Sequence, residues 1–217
     1  MERNAWDRYF SWMTIFDGAA KAELYTPDFT SGFSSDGSGL LRGVASASDA
    51  EDFIDRIVHT DIETYLPDDL LVKMDIASMA NSLEVRSPFL DDGLLEFAAS
   101  LPRHMKLRGL TQKHILKQAY RDVLPRSVVT RKKMGFGVPI DHWFRFELRD
   151  LAHDVLLSRR ARDRGYFRTQ VVERYLAEHV SGRRHHHAKL WSLLMLELWH
   201  LTFVDQPCPA AAPAAFA

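Results

Sequence analysis

With 217 residues, 46% hydrophobic and 26% charged, the chain has the size and composition of one sizeable globular domain, or one domain with a small appendage. A net charge of −1 excludes a global field favouring nucleic acid or an anionic membrane, and leaves room only for local phosphate-binding clusters. The lone Cys208 excludes a disulfide framework or a Cys-rich metal site within one chain and fits a reducing cytoplasm; no apolar run approaches the roughly 20 residues of a membrane span.

The opening residues, Met1-Glu-Arg-Asn-Ala-Trp-Asp-Arg, are not a secretory signal. Trp6, Tyr9, Phe10, Met13 and Phe16 fall at helical spacing, which predicts a helix over 6–16 that docks on a core and ends at Asp17-Gly18. A short helix over 19–24 and a turn at Tyr25-Thr-Pro-Asp-Phe follow. Residues 31–49, rich in Ser, Gly and Asp, read as a loop. A helix over 48–65, capped by Ser48 or Asp49, places Phe53, Ile54, Ile57, Ile62 and Tyr65 inward. Pro67 breaks it, and Asp68 or Asp69 caps the next helix, which runs to Met79 or Ala80 and stops at Asn81-Ser82. Ser87-Pro88-Phe89-Leu90-Asp91 turns into a helix over 92–101 closed by Pro102, and Thr111 caps a helix over 112–123. A loop at 131–139 precedes helices at about 140–156, 169–180 and 187–204. No segment alternates as a strand does, so the expected fold is mainly α, with about eight to ten helices. Residues 1–204 form the helical body, and 205–217, rich in Pro and Ala, are expected to be a disordered tail.

Polar residues crowd into otherwise core-like sequence between Tyr65 and Pro139. Arg126, Arg131, Lys132 and Lys133 run into a loop holding Gly135 and Gly137. Cations beside backbone N–H groups that only glycine exposes suit a polyphosphate leaving group, and a loop with glycines flanking Phe136 suits closure over a substrate; a solvated basic linker is the alternative. Lys113 lies in the first turn of its helix, where the dipole disfavours a cation unless it has a task; an exposed lysine is the plain reading. Asp68, Asp69, Lys73 and Asp75 are either a cap with surface charges or a cluster meeting a ligand. Glu84-Val-Arg86 is either an ion pair pinning the Pro88 turn or part of a ligand site. The run His185-His186-His187 lacks the i, i+4 placement of a helical zinc pair and reads as a polar helix start rather than a metal site. The Arg159-Arg-Ala-Arg162 and Arg183-Arg184 clusters lack interleaved aromatics, so nucleic acid is not an expected partner.

The segments Tyr65-Leu-Pro-Asp-Asp-Leu-Leu-Val-Lys-Met-Asp75, Ser82-Leu-Glu-Val-Arg-Ser-Pro-Phe-Leu-Asp91, Glu96-Phe-Ala-Ala-Ser-Leu-Pro102, Lys106-Leu-Arg108, Lys113, Leu116-Lys117, Lys132-Lys-Met-Gly-Phe-Gly-Val-Pro139, Arg164-Gly-Tyr-Phe167, Leu190-Trp191 and Leu196-Glu-Leu-Trp-His200 resemble the C-terminal synthetase domain of glutamine-hydrolysing asparagine synthetases, over roughly residues 6–204. The resemblance implies the helical part of an adenine-nucleotide α-hydrolase-like (PP-loop ATP pyrophosphatase) domain whose parallel sheet is largely missing. It implies an amide ligase. ATP, with Mg²⁺, adenylates the aspartate side chain to β-aspartyl-AMP, and glutamine-derived ammonia attacks the adenylate. By the same resemblance Lys133 is the lysine that stabilises the transition state and the pyrophosphate, and Lys73 sits near the aspartate substrate. Asp69, Asp75, Glu84, Arg86, Lys113 and Lys132 line or brace the cleft. The family's Ser-Gly-Gly-x-Asp-Ser pyrophosphate loop, its Gly-Glu-Gly-x-Asp-Glu motif and the metal ligands are expected elsewhere, and Glu2 stands where the glutaminase domain begins with a nucleophilic cysteine. The expected partner is a glutaminase/PP-loop chain or domain encoded upstream, without which the fragment is inactive. Two other readings stand: a non-catalytic helical partner-binding subunit, and an amidotransferase of the same family acting on another carboxylate.

Overall fold

The computed structural model describes residues 5–32, 38–132, 135 and 137–206. It is mainly α-helical, as expected, and divides into two compact units. One joins the N-terminal residues to those from 137 onward. The other is the continuous stretch 38–135.

The terminal unit holds the hydrophobic core. Phe144, Leu24, Leu190 and Leu194 are fully buried, with Tyr175, Ala152, Val172 and Leu193 around them. The helix His187–Trp199 is the centrepiece. It packs on Ile140–Arg145 and Arg149–Leu156, and Thr169–Val180 packs on all three and on Gly18–Leu24. Asp17 does not simply end the first helix, which spans Ala5–Met13. It begins the next one, accepting the Ala20 N–H at 2.8 Å. The chain ends of this unit are tied together. Tyr25 bridges Phe167, the Thr26 N–H donates to the Tyr166 carbonyl, and Arg168 donates to the carbonyls of Ala22 and Glu23. The single helix expected over 140–156 is two, because the chain folds back at Phe146 and Leu148, whose N–H groups both donate to the Trp143 carbonyl.

The middle unit departs further from expectation. Residues read as loop contain the helix Gly39–Ala47, which packs on the following helix. Leu40, Leu41, Val44 and Ala45 form an apolar stripe at helical spacing, and glycine and serine content masks it. The helix expected from Ser48 starts only at Phe53. The Ser48 hydroxyl takes the Ala50 N–H in a turn, and Asp52 caps the helix through the Ile54 N–H at 2.7 Å. Pro67 does not separate two helices by a capped break. It sits at the second position of a wide π-helical turn, Leu66–Leu71, which runs directly into Val72–Met79 without a side-chain cap, so neither Asp68 nor Asp69 is a cap. Thr111 lies not at a helix start but in a two-residue hairpin. Leu107–Arg108 pairs antiparallel with Thr111–Gln112 around Gly109 at φ 58°. The short strands, two residues each, leave no alternation to read. The next helix is only His114–Ala119. Fifteen α-helical segments occur among the described residues, more than expected, because several are four to six residues long.

This unit has almost no interior of its own. Among its described residues Ala45 is the one buried hydrophobic side chain; Thr60 and Thr64 are also buried, their hydroxyls returned to the carbonyls four residues earlier. Ile62 and Tyr65, expected inward, are exposed, as are Val72, Met74, Ile76, Met79, Leu83, Val85, Phe89 and Phe97.

Candidate functional site

The candidate side chains lie on consecutive elements of the middle unit. Asp69 is carried by the π-helical turn, Lys73 and Asp75 by Val72–Met79, and Glu84 and Arg86 by the extended segment after it. Ser82, at φ 56°, reverses the chain between the last two. Lys132 follows the helix Arg126–Thr130. Lys113 is not in a first helical turn. It precedes His114–Ala119 in a left-handed conformation at φ 55°, rare for a residue with a Cβ. Lys133, the foremost catalytic candidate, lies outside the described residues.

All seven described candidates are exposed. Glu84 and Arg86 are brought together at 2.6 Å, with side chains 70% and 87% exposed. A pair so open is screened and contributes little to stability, so it does not pin the Pro88 turn; that turn is set by Pro88 itself and by Asp91, which caps Asp92–Ser100 through the Leu94 N–H. Asp69, Lys73, Asp75, Lys113 and Lys132 form no ion pair among the described residues. Exposed lysines can attract an anion, but these side chains make no preformed acid–base couple among the described residues.

The most enclosed of the ion pairs between charged side chains lies in the terminal unit, at residues not among the candidates; in the middle unit Lys106 bonds Asp55 at 3.0 Å with side chains 24% and 28% exposed. Arg164 forks between Glu197 and Asp205, its Nε donating to Glu197 Oε2 at 2.8 Å and its Nη1 to Asp205 Oδ1 at 3.1 Å. The Glu197 side chain is 7% exposed. Hydrogen bonding to the two carboxylates raises the Arg164 pKa, and the bond from Arg164 lowers that of Asp205. Glu23 pairs with Arg174 and accepts from the Tyr175 hydroxyl; the Arg174 bond lowers its pKa, while burial raises that of Tyr175. His179 is fully buried, and burial holds its pKa down; its Nδ1 accepts the His186 N–H, leaving Nε2–H to donate to the Asp141 carbonyl at 3.1 Å. Asp205, placed by the sequence at the start of the tail, is thus anchored; residues 207–217 lie outside the described residues. Arg164 and Glu197 stand within segments quoted for the resemblance, Arg164-Gly-Tyr-Phe167 and Leu196-Glu-Leu-Trp-His200. The available signal was Glu197, a carboxylate inside the apolar run Leu193-Leu-Met-Leu-Glu-Leu-Trp199; Arg164 stands in a charged stretch and offers none.

Comparison with known proteins bears on residues 2–201, which the asparagine synthase family model matches. A putative glutamine-hydrolysing asparagine synthetase of Mycobacterium tuberculosis is 36% identical over 204 residues, covering 92% of this chain and 30% of the relative. Glutamine-hydrolysing asparagine synthetase 1 of Bacillus subtilis is 31% identical over 203 residues, with 92% and 31% covered. The human glutamine-hydrolysing asparagine synthetase is 26% identical over 165 residues, with 67% and 28% covered. The chain therefore spans about a third of the length of these relatives. No solved structure gives a significant match.

Proposed function

We propose, since the chain belongs to the asparagine synthase family, that it supplies the helical wall of an ATP-dependent amide-forming site and acts together with the portions of the enzyme it does not contain. The observation that carries this reading is the family match over residues 2–201, taken with a middle unit whose helices bury almost nothing of their own. Helices such as Val72–Met79, apolar on several sides and without a buried residue, ask for a covering surface. A nucleotide-binding parallel sheet contributed from elsewhere meets that need.

In the proposed reaction the aspartate side chain attacks the α-phosphorus of ATP, pyrophosphate departs, and ammonia from glutamine displaces AMP from the β-aspartyl adenylate. Lys133, with Lys132 beside it, neutralises charge growing on the departing pyrophosphate, and Lys73 orients the aspartate substrate. Lys113, Asp69, Asp75, Glu84 and Arg86 stand on the same wall. Magnesium takes oxygen ligands at about 2.0–2.1 Å in an octahedral array. Asp69, Asp75 and Glu84 do not converge in that way; the group of three convergent ligand side chains among the described residues is Asp141, His185 and His187, two of them imidazoles. In this reading the ion's ligands belong to the complementary part and the residues of this wall act on the reactants. Alone, the wall lacks the positioning that turns three bound reactants into a single-step encounter, so the isolated chain is expected to be inactive.

Isothermal titration with ATP, magnesium and aspartate tests the reading, run on this chain with and without the preceding portion of a synthetase relative supplied in trans. Binding that appears or strengthens only with the complement supports it. A chain that is monomeric, binds the complement and never responds to ATP supports the second reading, a non-catalytic helical partner-binding subunit, which the same exposed apolar side chains favour. An amidotransferase acting on another carboxylate would bind ATP but not aspartate.

A further inference from the structure

We propose that Asp141, His185 and His187 form a binding site for a divalent transition-metal ion of the zinc class, which cross-links the helix Ile140–Arg145 to the start of His187–Trp199. One ligand atom from each of the three side chains lies within 4.8 Å of the others. Asp141 Oδ1 is 2.6 Å from His185 Nδ1 and 3.6 Å from His187 Nδ1. Ligands about 2.0–2.1 Å from a tetrahedral zinc stand about 3.3 Å from one another, so small side-chain movements bring both imidazoles and the carboxylate oxygen onto one ion.

Two features mark the arrangement as more than a run of histidines. The first is the backbone. Residues 185 and 186 precede the helix in non-helical conformation, with His186 at φ −115° and ψ 14°. Side chains two apart therefore converge, and the one between them points elsewhere. His186 stacks on Tyr175 at 4.6 Å between ring centres and places Nε2 2.7 Å from Glu178. The run thus supplies two converging imidazoles although it lacks the i, i+4 spacing of a helical zinc pair. Buried His179 braces the site, bonding the Asp141 carbonyl with one nitrogen and the His186 N–H with the other, so both ligand segments are tied to one rigid ring.

The second feature is unmet hydrogen bonding. His187 Nδ1 is shielded from solvent and has no hydrogen-bond partner. His185 Nδ1 faces the Asp141 carboxylate at 2.6 Å and the Arg145 Nη2 at 3.1 Å. The first contact needs a proton on that nitrogen and the second needs a lone pair, and one nitrogen cannot supply both. An ion beside Oδ1 uses the lone pairs of both imidazoles. Arg145 Nη2 lies 3.2 Å from Oδ2 and donates to Oδ1 at 3.4 Å. An ion at Oδ1 displaces that longer bond, and the positive charge of Arg145 weakens the site. The remaining coordination positions fall to water.

The test is titration of the full chain, stripped with a chelator, with zinc chloride alone, read by calorimetry and by thermal melting. One zinc per chain is expected, with a melting temperature that rises with zinc concentration, because the ion binds the folded state. Asp141→Asn and His187→Gln are each expected to weaken binding by about tenfold or more, since even outer-shell changes reach that size. Arg145→Met is expected to tighten it. If Asp141→Asn fails to fold, as circular dichroism without metal would reveal, His187→Gln, at a half-exposed position, decides the matter. Absence of saturable binding overturns the proposal. So does binding that survives both substitutions within twofold, or persists undiminished in urea, since the histidine run alone then suffices.

Discussion

Replacing Arg164 by alanine is the sharpest test of what holds the terminal unit together. The Arg164 guanidinium is 13% exposed and the Glu197 carboxylate 7%, and three of its bonds to Glu197 are between 2.8 and 3.1 Å. Removing the arginine leaves Glu197 charged and enclosed, and breaking a buried pair in this way costs about 3–5 kcal/mol. At roughly 2–4 °C per kcal/mol for a chain of this size, the melting temperature should fall by about 6–20 °C. Urea titration of the full chain, followed by tryptophan fluorescence and far-ultraviolet circular dichroism, gives the free energy directly; Trp191 and Trp199 report on the helix that carries Glu197. Arg86→Ala is the internal control, because its partner Glu84 is exposed and its loss should lie within error. An Arg164→Ala chain within about 1 kcal/mol of the parent would refute the reasoning, since that is the span of an exposed pair.

The same network makes stability depend on acidity. Asp205 and Glu23 have folded-state pKa values held below the ordinary carboxylate range by Arg164 and Arg174, so the unfolded chain takes up their protons first. Their contribution is complete above the unfolded value near pH 4 and is lost as the pH falls through the lower folded values; Asp205→Asn should flatten that fall in urea titrations at successive pH values. Asp17→Ala removes the cap on Gly18–Leu24 and should cost about 1 kcal/mol in the same titration, whereas Asp68→Ala, which removes no cap, should leave the midpoint in place.

What could be read from the sequence follows from how each element is held. Thr169–Val180 was legible to the residue because its apolar face, with Val171, Val172, Tyr175 and Leu176, is buried and its spacing is helical. Gly39–Ala47 was hidden, since Gly39, Gly43 and Ser46 carry loop propensity while neighbouring packing decides the outcome. The hairpin at Leu107–Gln112 depends on Gly109 adopting a positive φ, and two-residue strands offer no period. Of the candidate site, the Glu84–Arg86 contact is the one that joins two predicted residues among those described. The other described candidates are exposed and lie on successive elements of the middle unit. The Arg164 fork and the Asp141 cluster depend on residues tens of positions apart, and only the fold brings them together.

The most direct test of the ligase reading is aspartate-dependent exchange between ATP and pyrophosphate, measured with this chain completed by the preceding portion of a synthetase relative, for the parent and Lys133→Ala. A lysine that stabilises the departing pyrophosphate should cost on the order of 10²-fold in exchange when removed, with glutamine hydrolysis by the complement unchanged. Exchange undiminished by Lys133→Ala, or exchange and glutamine hydrolysis lost together, would contradict the account.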